Sequence, residues 1–327
     1  MSRQSLPIPA DAPGTPKCPV CSSTSSRVWN RSAEEIREDL NAYIHPLPDV
    51  SLIGRDYSMY LCGNCTLTFA DPLIAGDGRF YDWLTTCSWY YPVTRWEFSA
   101  TSDLLRQRGV RTVLEVGCGN GTFLRHMKAF DDIRVIGLDL SADAIADCRA
   151  QGFDAHLCDV NEYRERLQVQ LGPVDAVVSF HCLEHLANPI SFIRGMWNVV
   201  SPRGAVYVST PYSPLHYERR CGEPLNRPPH HMTCWNIRSY AALARSVNLQ
   251  HRTFLPAARS VLERTRNTLA KWDRSVQMTR GRKATLFHAL AHPLAATAEL
   301  LHQLRREKVH GIPASDEILV EFTAPKT

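Results

Sequence analysis

Between Val113 and Leu124 an apolar, strand-like run (VLEV) passes straight into GCGNGT and then into a helix-like pattern. Gly117, Gly119 and Gly121 let the backbone turn tightly and let a ligand approach main-chain amides at a helix N-terminus, where anionic groups are favoured. Asp139 follows 20 residues after Gly119, at the end of the next apolar run, GLDLS. An acid there can accept hydrogen bonds from both hydroxyls of a ribose. The pairing predicts a parallel α/β sheet holding an adenosine-containing ligand at the carboxyl ends of its strands. The dinucleotide fingerprint GxGxxG fits poorly, because the third glycine comes one place early and Glu115 lies inside the strand. A carboxylate beside this loop opposes a pyrophosphate and suits a cation.

The surrounding pattern agrees. From Arg111 onward TVLEV, RVIGLDL, DAHLCDV, VDAVVSF and AVYVST alternate with helical patterns near 121–130, 142–150 and 189–200, as a sheet with crossover helices requires. A loop rich in Pro and His (211–234), a helix near 236–247, a short run at 253–255 and the strand EILVEFTA complete the core. The expected division is a disordered leader over 1–16, a metal-binding module over 17–71, an aromatic-rich linker or lid over 72–110, the core over 111–255 and 313–327, and a helical insertion over 256–312. The linker holds Phe80, Tyr81, Trp83, Trp89, Tyr90, Tyr91, Trp96 and Phe98. Such density favours packing on the core, with lining of a pocket as the alternative.

Cys18-Pro-Val-Cys21 and Cys62-Gly-Asn-Cys65 are two CxxC pairs about 40 residues apart. Four thiolates in a tetrahedron make a closed, structural zinc site with no position left for water or substrate. The chain has 11 cysteines, an odd number, and no export signal, which favours reduced thiols over disulfides. Cys87, Cys118, Cys148, Cys158, Cys182, Cys221 and Cys234 show no second ligand spacing and read as buried thiols.

The ExGCGxG run, the strand-end Asp139, the third-strand acid Asp159 and VDAVVSFHCLEHLANP together resemble the class I S-adenosylmethionine-dependent methyltransferases, in particular the small-molecule branch that includes quinone O-methyltransferases. The resemblance covers roughly 105–255 and the last strand. It implies a doubly wound, seven-stranded, mostly parallel Rossmann-like sheet whose final strand is antiparallel. By it, Glu115, Gly117, Cys118, Gly119 and Gly121 hold the methionyl part of the cofactor and Asp139 the ribose. Leu140, Asp159 and Val160 flank the adenine, and Phe180 ends the strand beneath the cofactor. The four-cysteine module ahead of this core resembles bacterial sugar and natural-product methyltransferases.

Methyl transfer needs in-line alignment and a base for the acceptor's proton. The loop after the fourth core strand offers His181, Glu184 and His185; the loop after the fifth offers Tyr212, His216, Tyr217, Glu218, His230 and His231. Histidine suits proton abstraction near neutral pH, and His231 is the preferred candidate, against the alternative of loop histidines bonded to backbone.

The net charge of +4 selects no partner and does not favour nucleic acid. The absence of a signal peptide or a long apolar run points to a cytoplasmic protein. The 256–312 segment has eleven Lys/Arg (Arg259, Arg264, Arg266, Lys271, Arg274, Arg280, Arg282, Lys283, Arg305, Arg306, Lys308) against four acids. It reads as a solvated cover, a surface that attracts an anionic acceptor, or a homodimer contact. The sequence thus favours transfer of a methyl group to an oxygen or carbon of a saccharide or secondary metabolite. The alternatives are an RNA or protein methyltransferase and a non-catalytic module that binds an adenosine ligand.

Overall fold

In the computed structural model the described residues are 14–44, 49–87, 90–215, 223–257, 260–272, 293–294, 297–301, 304 and 316–325. Residues 1–13 of the expected leader, Trp89, His216, Tyr217, Glu218, Cys221 and most of the helical insertion lie outside them. Among the described residues no helix is long and apolar enough to cross a membrane.

The central sheet has seven strands in the order β10-β11-β8-β7-β4-β5-β6. Four of them, β4 (Thr112–Val116), β5 (Arg134–Asp139), β6 (Asp154–Leu157) and β7 (Val174–Phe180), run parallel to β8 (Val200–Pro211). The last strand, β11 (Glu317–Thr323), is antiparallel both to β8 and to β10 (Gln250–Phe254). This is the doubly wound fold that the sequence implied.

The central strands are apolar throughout because helices cover both faces. Side chains alternate between two cores. Leu114, Val177, Val206 and Ile318 enter one, beneath the helices Pro189–Val199 and Ile237–Ser246. Val113, Ala176, Val178, Tyr207 and Leu319 enter the other, beneath Trp96–Gln107 and Thr122–Met127. The edge strands are short or polar, as exposed edges must be. Helix Trp96–Gln107 is fixed at its far end by Arg108, which pairs at 2.8 Å with the buried Glu321 of β11; the Tyr207 hydroxyl donates to the same carboxylate at 2.9 Å.

A second, antiparallel sheet has the order β1-β2-β3-β9. Its first three strands, β1 (Ser25–Arg31), β2 (Tyr57–Cys62) and β3 (Thr68–Asp71), come from the cysteine module; the fourth, β9 (Thr233–Cys234), comes from the Pro- and His-rich loop of the core. Helix Ala33–Tyr43 begins at a Ser32–Glu35 capping box, which satisfies amides that the helix cannot. The core therefore supplies a strand to the module, a pairing that spacing along the chain does not reveal.

Candidate active site

A cavity of about 520 Å³ opens at the carboxyl ends of the parallel strands, where ligands bind in open α/β sheets. Its floor is the glycine loop after β4 with the end of β5. Gly117, Gly119 and Gly121 all have positive φ, a backbone that side chains resist. The amides of Gly117 and Cys118 donate to Leu138, that of Gly119 to the Asp139 carboxylate at 2.8 Å, and that of Gly121 to Cys118. These four amides are thus used within the loop, so the glycines contribute close approach rather than free donors. A Cβ on Gly119 would lie 2.7 Å from the Tyr91 ring.

Each oxygen of Asp139 accepts one amide, from Gly119 or from Ser141, both at 2.8 Å. Each keeps a further lone pair for a hydroxyl. Glu115 is buried at the cavity floor, and its Oε2 has no hydrogen-bond partner. Burial, with the negative charge of Cys148 and Asp139 beside it, pushes its carboxyl well above the usual range. Such a group is suited to a ligand that brings a cation or a donor.

The cavity brings together Glu115, Gly117, Cys118, Gly119, Asp139, Phe180, His181, His185 and His231. Gly121, Leu140, Asp159, Val160 and Glu184 are not in its lining. Gly121 lies under the loop, where a Cβ would meet Cys148 at 2.9 Å. Leu140 is exposed, Val160 is buried against Gly195, and Asp159 caps a helical turn through the amides of Asn161 and Glu162. Cys87 and Cys182 are only half-buried, unlike the fully buried thiols expected, because Cys182 follows the strand end and faces the cavity.

The aromatic linker does both things open to it. Phe80, Trp83 and Phe98 are buried in the cores, while Tyr81, Tyr90 and Tyr91 line the cavity. Burial pushes the pKa of all three tyrosines up, which keeps their hydroxyls protonated as donors. Tyr90 contacts His230 Nε2 at 3.1 Å and Tyr81 contacts His185 Nδ1 at 3.3 Å.

The four histidines differ in what their nitrogens touch. His181, at φ 51°, sits between two buried carboxylates: Nε2 donates to Glu97 at 2.8 Å and Nδ1 lies 3.4 Å from Glu184. His185 has a backbone carbonyl at each nitrogen, that of His230 at 2.7 Å and that of His181 at 3.1 Å. His230 donates from Nδ1 to the Leu225 carbonyl. His231 donates from Nδ1 to Asn226 at 2.9 Å, and its Nε2 stands 3.8 Å from Glu184. Burial, then the neighbouring histidines, hold His230 and His231 well below the usual imidazole range. With Nδ1 donating to Asn226, a neutral His231 carries its lone pair on Nε2, the nitrogen that stands toward Glu184.

Ring nitrogens of His185, His230 and His231 lie within 4.8 Å of one another, as do the sulfurs of Cys18, Cys21, Cys62 and Cys65. The two groups are not equivalent. The nitrogens of His185 already face carbonyls, whereas the four thiols are soft donors that face each other, nearby amides and, at Cys21, the Ser23 hydroxyl, with Cys18–Cys65 at 3.6 Å and Cys21–Cys62 at 3.5 Å. The hydrogen bond from Cys65 holds the Cys18 thiol down to about 5. Such a set can hold a metal ion.

Glu97, Asn226 and Arg95 escaped the reading of the sequence. The one available signal for Glu97 was an acid on the face of an amphipathic helix shared with Thr101, Leu104 and Leu105, all buried. Replacing Gly119 by Ala is expected to weaken binding of S-adenosylhomocysteine at least tenfold in calorimetry with little change in melting temperature, since the added carbon must displace Tyr91 and strain the loop.

The sequence profile of the Methyltransferase domain family matches residues 95–253. Among curated proteins, the ubiquinone biosynthesis O-methyltransferase of Sodalis glossinidius is 33% identical over 106 residues, which is 31% of this chain and 41% of that protein. The Dechloromonas aromatica enzyme of the same name is 34% identical over 106 residues, 31% of this chain and 44% of that one. This chain thus spans about two fifths of the length of the curated relatives it matches. A solved S-adenosylmethionine-dependent methyltransferase from Archaeoglobus fulgidus is 19% identical, with 69% of this chain and 93% of that chain covered at a TM-score of 0.46. Over residues 95–253 the chain is similar to the Methyltransferase domain family, and the four-cysteine cluster lies ahead of that stretch.

Proposed function

We propose that the chain is an S-adenosylmethionine-dependent methyltransferase that moves a methyl group to an oxygen or carbon of a small molecule, a saccharide or secondary metabolite. The observation that carries this reading is Glu115, a buried carboxyl with an unpartnered oxygen at the floor of the cavity, beside the glycine loop and Asp139. Glu115 would take the cofactor's ammonium group, Asp139 its ribose hydroxyls, and Gly117 and Gly119 leave room for its chain. Bound there, the cofactor supplies an electrophilic methyl group.

The chain's own residues do the rest. The neutral Nε2 of His231, oriented by Asn226 through Nδ1, accepts the acceptor's proton. His181 and His185 are poorer bases, because both nitrogens of each already face oxygen atoms. Tyr81, Tyr90 and Tyr91 close over the cavity and limit water at the reacting methyl. Arg95 at the cavity wall suits an anionic acceptor.

The four cysteines would hold structural zinc, since four protein ligands fill a tetrahedron and leave no place for substrate. The Cys62→Ser variant is expected to lose the single zinc found by elemental analysis of the intact protein. Its melting temperature should fall by roughly 10 °C, as the loss of a few kcal/mol would produce.

The function is tested with cofactor bearing a deuterated methyl group, incubated with the protein and a metabolite extract. Mass spectrometry should find a product heavier by one trideuterated methyl. Calorimetry that detects neither S-adenosylmethionine nor S-adenosylhomocysteine binding, while NADH binds, would overturn the assignment. His231→Ala should keep cofactor affinity within about twofold and lower turnover about a hundredfold or more; unchanged turnover would remove His231 as the base.

A further inference from the structure

Glu97 and Glu184 are each 1% exposed at their side chains, on opposite sides of His181. They come from separate elements, the helix Trp96–Gln107 and the turn Leu183–His185. Glu184 continues the line to His231 Nε2. Four titratable groups therefore stand in order, Glu97, His181, Glu184, His231. Both oxygens of Glu184 are buried without a hydrogen bond of good geometry, which is costly for a carboxylate unless a nearby positive charge compensates it.

We propose that Glu97, His181 and Glu184 form a buried positioning triad in which His181 is a fixed cation and Glu184 is the counter-charge for the proton that His231 takes up. The inference rests on His231 being the base. With His181 protonated the three groups sum to one negative charge. When the acceptor is a hydroxyl, the C–S bond breaks and an O–C bond forms, while the O–H electron pair stays on oxygen and the proton goes to His231 Nε2. The sulfonium's positive charge is lost in that step, and the new imidazolium replaces it beside Glu184. The array then alternates negative, positive, negative, positive. It parallels a triad in which a buried carboxylate stabilises the imidazolium that forms during catalysis.

Burial and Arg95 oppose a charge on His181, and the two glutamates outweigh them, so its proton is held above the usual imidazole range. Burial likewise opposes ionisation of Glu97, and the hydrogen bond and charge of His181 reverse the balance. The other groups that face the array are Arg95 beside His181, His185 and His230 beside His231, and Tyr81, Tyr90, Tyr240 and Cys182 near Glu184. Glu97 is a positioning residue in this scheme, because it reaches the chemistry only through His181.

Ring-nitrogen NMR on the intact, zinc-loaded protein saturated with S-adenosylhomocysteine tests this without an acceptor. Histidine signals are assigned by single His→Asn variants and followed from about pH 4 to pH 8. In the wild type His181 should show two protonated nitrogens at neutral pH and His231 one. Glu97→Gln should lower the His181 midpoint by about one pH unit or more, a tenfold loss of proton affinity, with Glu97→Asp restoring part of it. Glu184→Gln should lower the His231 midpoint by about one unit. A bare nitrogen on wild-type His181 at neutral pH would overturn the proposal, and that measurement stands even if a variant fails to fold. So would an unmoved His231 midpoint in a Glu184→Gln protein that still binds S-adenosylhomocysteine. Failure to bind that compound at all would instead defeat the methyltransferase reading and leave the ring protonation to be read separately.

Discussion

The architecture of the cavity's histidine wall depends on the backbone of one residue, Met232. Its N–H donates to the Glu184 carbonyl at 2.7 Å and its carbonyl accepts from the Ala70 amide at 2.8 Å. The first bond fixes the loop after β8 to the loop after β7, and the second joins both to the sheet of the cysteine module. His231 directly precedes this residue and β9 directly follows it. Further bonds reinforce the same seam: Asn236 donates to Thr66, Arg238 to Asn64, and Ser246 to Val20. Asn64 and Thr66 flank Cys65, so the thiol cluster is connected to the histidine wall although it lies outside the cavity.

Burial then assigns different electrical states to chemically identical side chains. His230 and His231 are enclosed by rings and carbonyls with no carboxylate in hydrogen-bonding contact, and desolvation keeps them neutral. His181 is as enclosed, yet two carboxylates reverse the outcome. A sequence that places His181, Glu184 and His185 within five positions, with His230 and His231 further on, cannot distinguish these cases. The outcome follows from Glu97, more than eighty residues upstream of His181.

The sheet and the glycine loop were legible in the sequence because their signals are local. Apolar runs of strand length, glycines at alternate positions and an acid at a strand end each report on a few neighbouring residues. The four cysteines were legible for a similar reason, since two CxxC turns are recognisable one at a time. What could not be read were the contacts made across the fold: β9 joining the module, Glu97 reaching His181, and the choice of Tyr81, Tyr90 and Tyr91, rather than Phe80 or Trp83, to face the cavity. In an aromatic-rich segment every residue is a candidate for the core, and only tertiary packing, which sets the rotation of helix Gly78–Thr85 and the path of the chain at Tyr90 and Tyr91, selects those that face the cavity. The carboxylate of Asp159 illustrates the converse: an acid at the right strand end, engaged instead in capping the next helical turn.

The division of the cavity also limits what its residues can specify. The glycine loop, Glu115 and Asp139 belong to consecutive strands of one sheet, and their spacing is set by the pleat and by 4.7–4.9 Å strand separation typical of any sheet. The opposite wall is built from the linker and the loops after β7 and β8, each of which can change length without disturbing the sheet. A ligand common to many proteins is therefore best held on the first side, and discrimination between acceptors is best placed on the second. Tyr90 and His230 come from that second side and contact each other, and Asn226 holds the neighbouring His231.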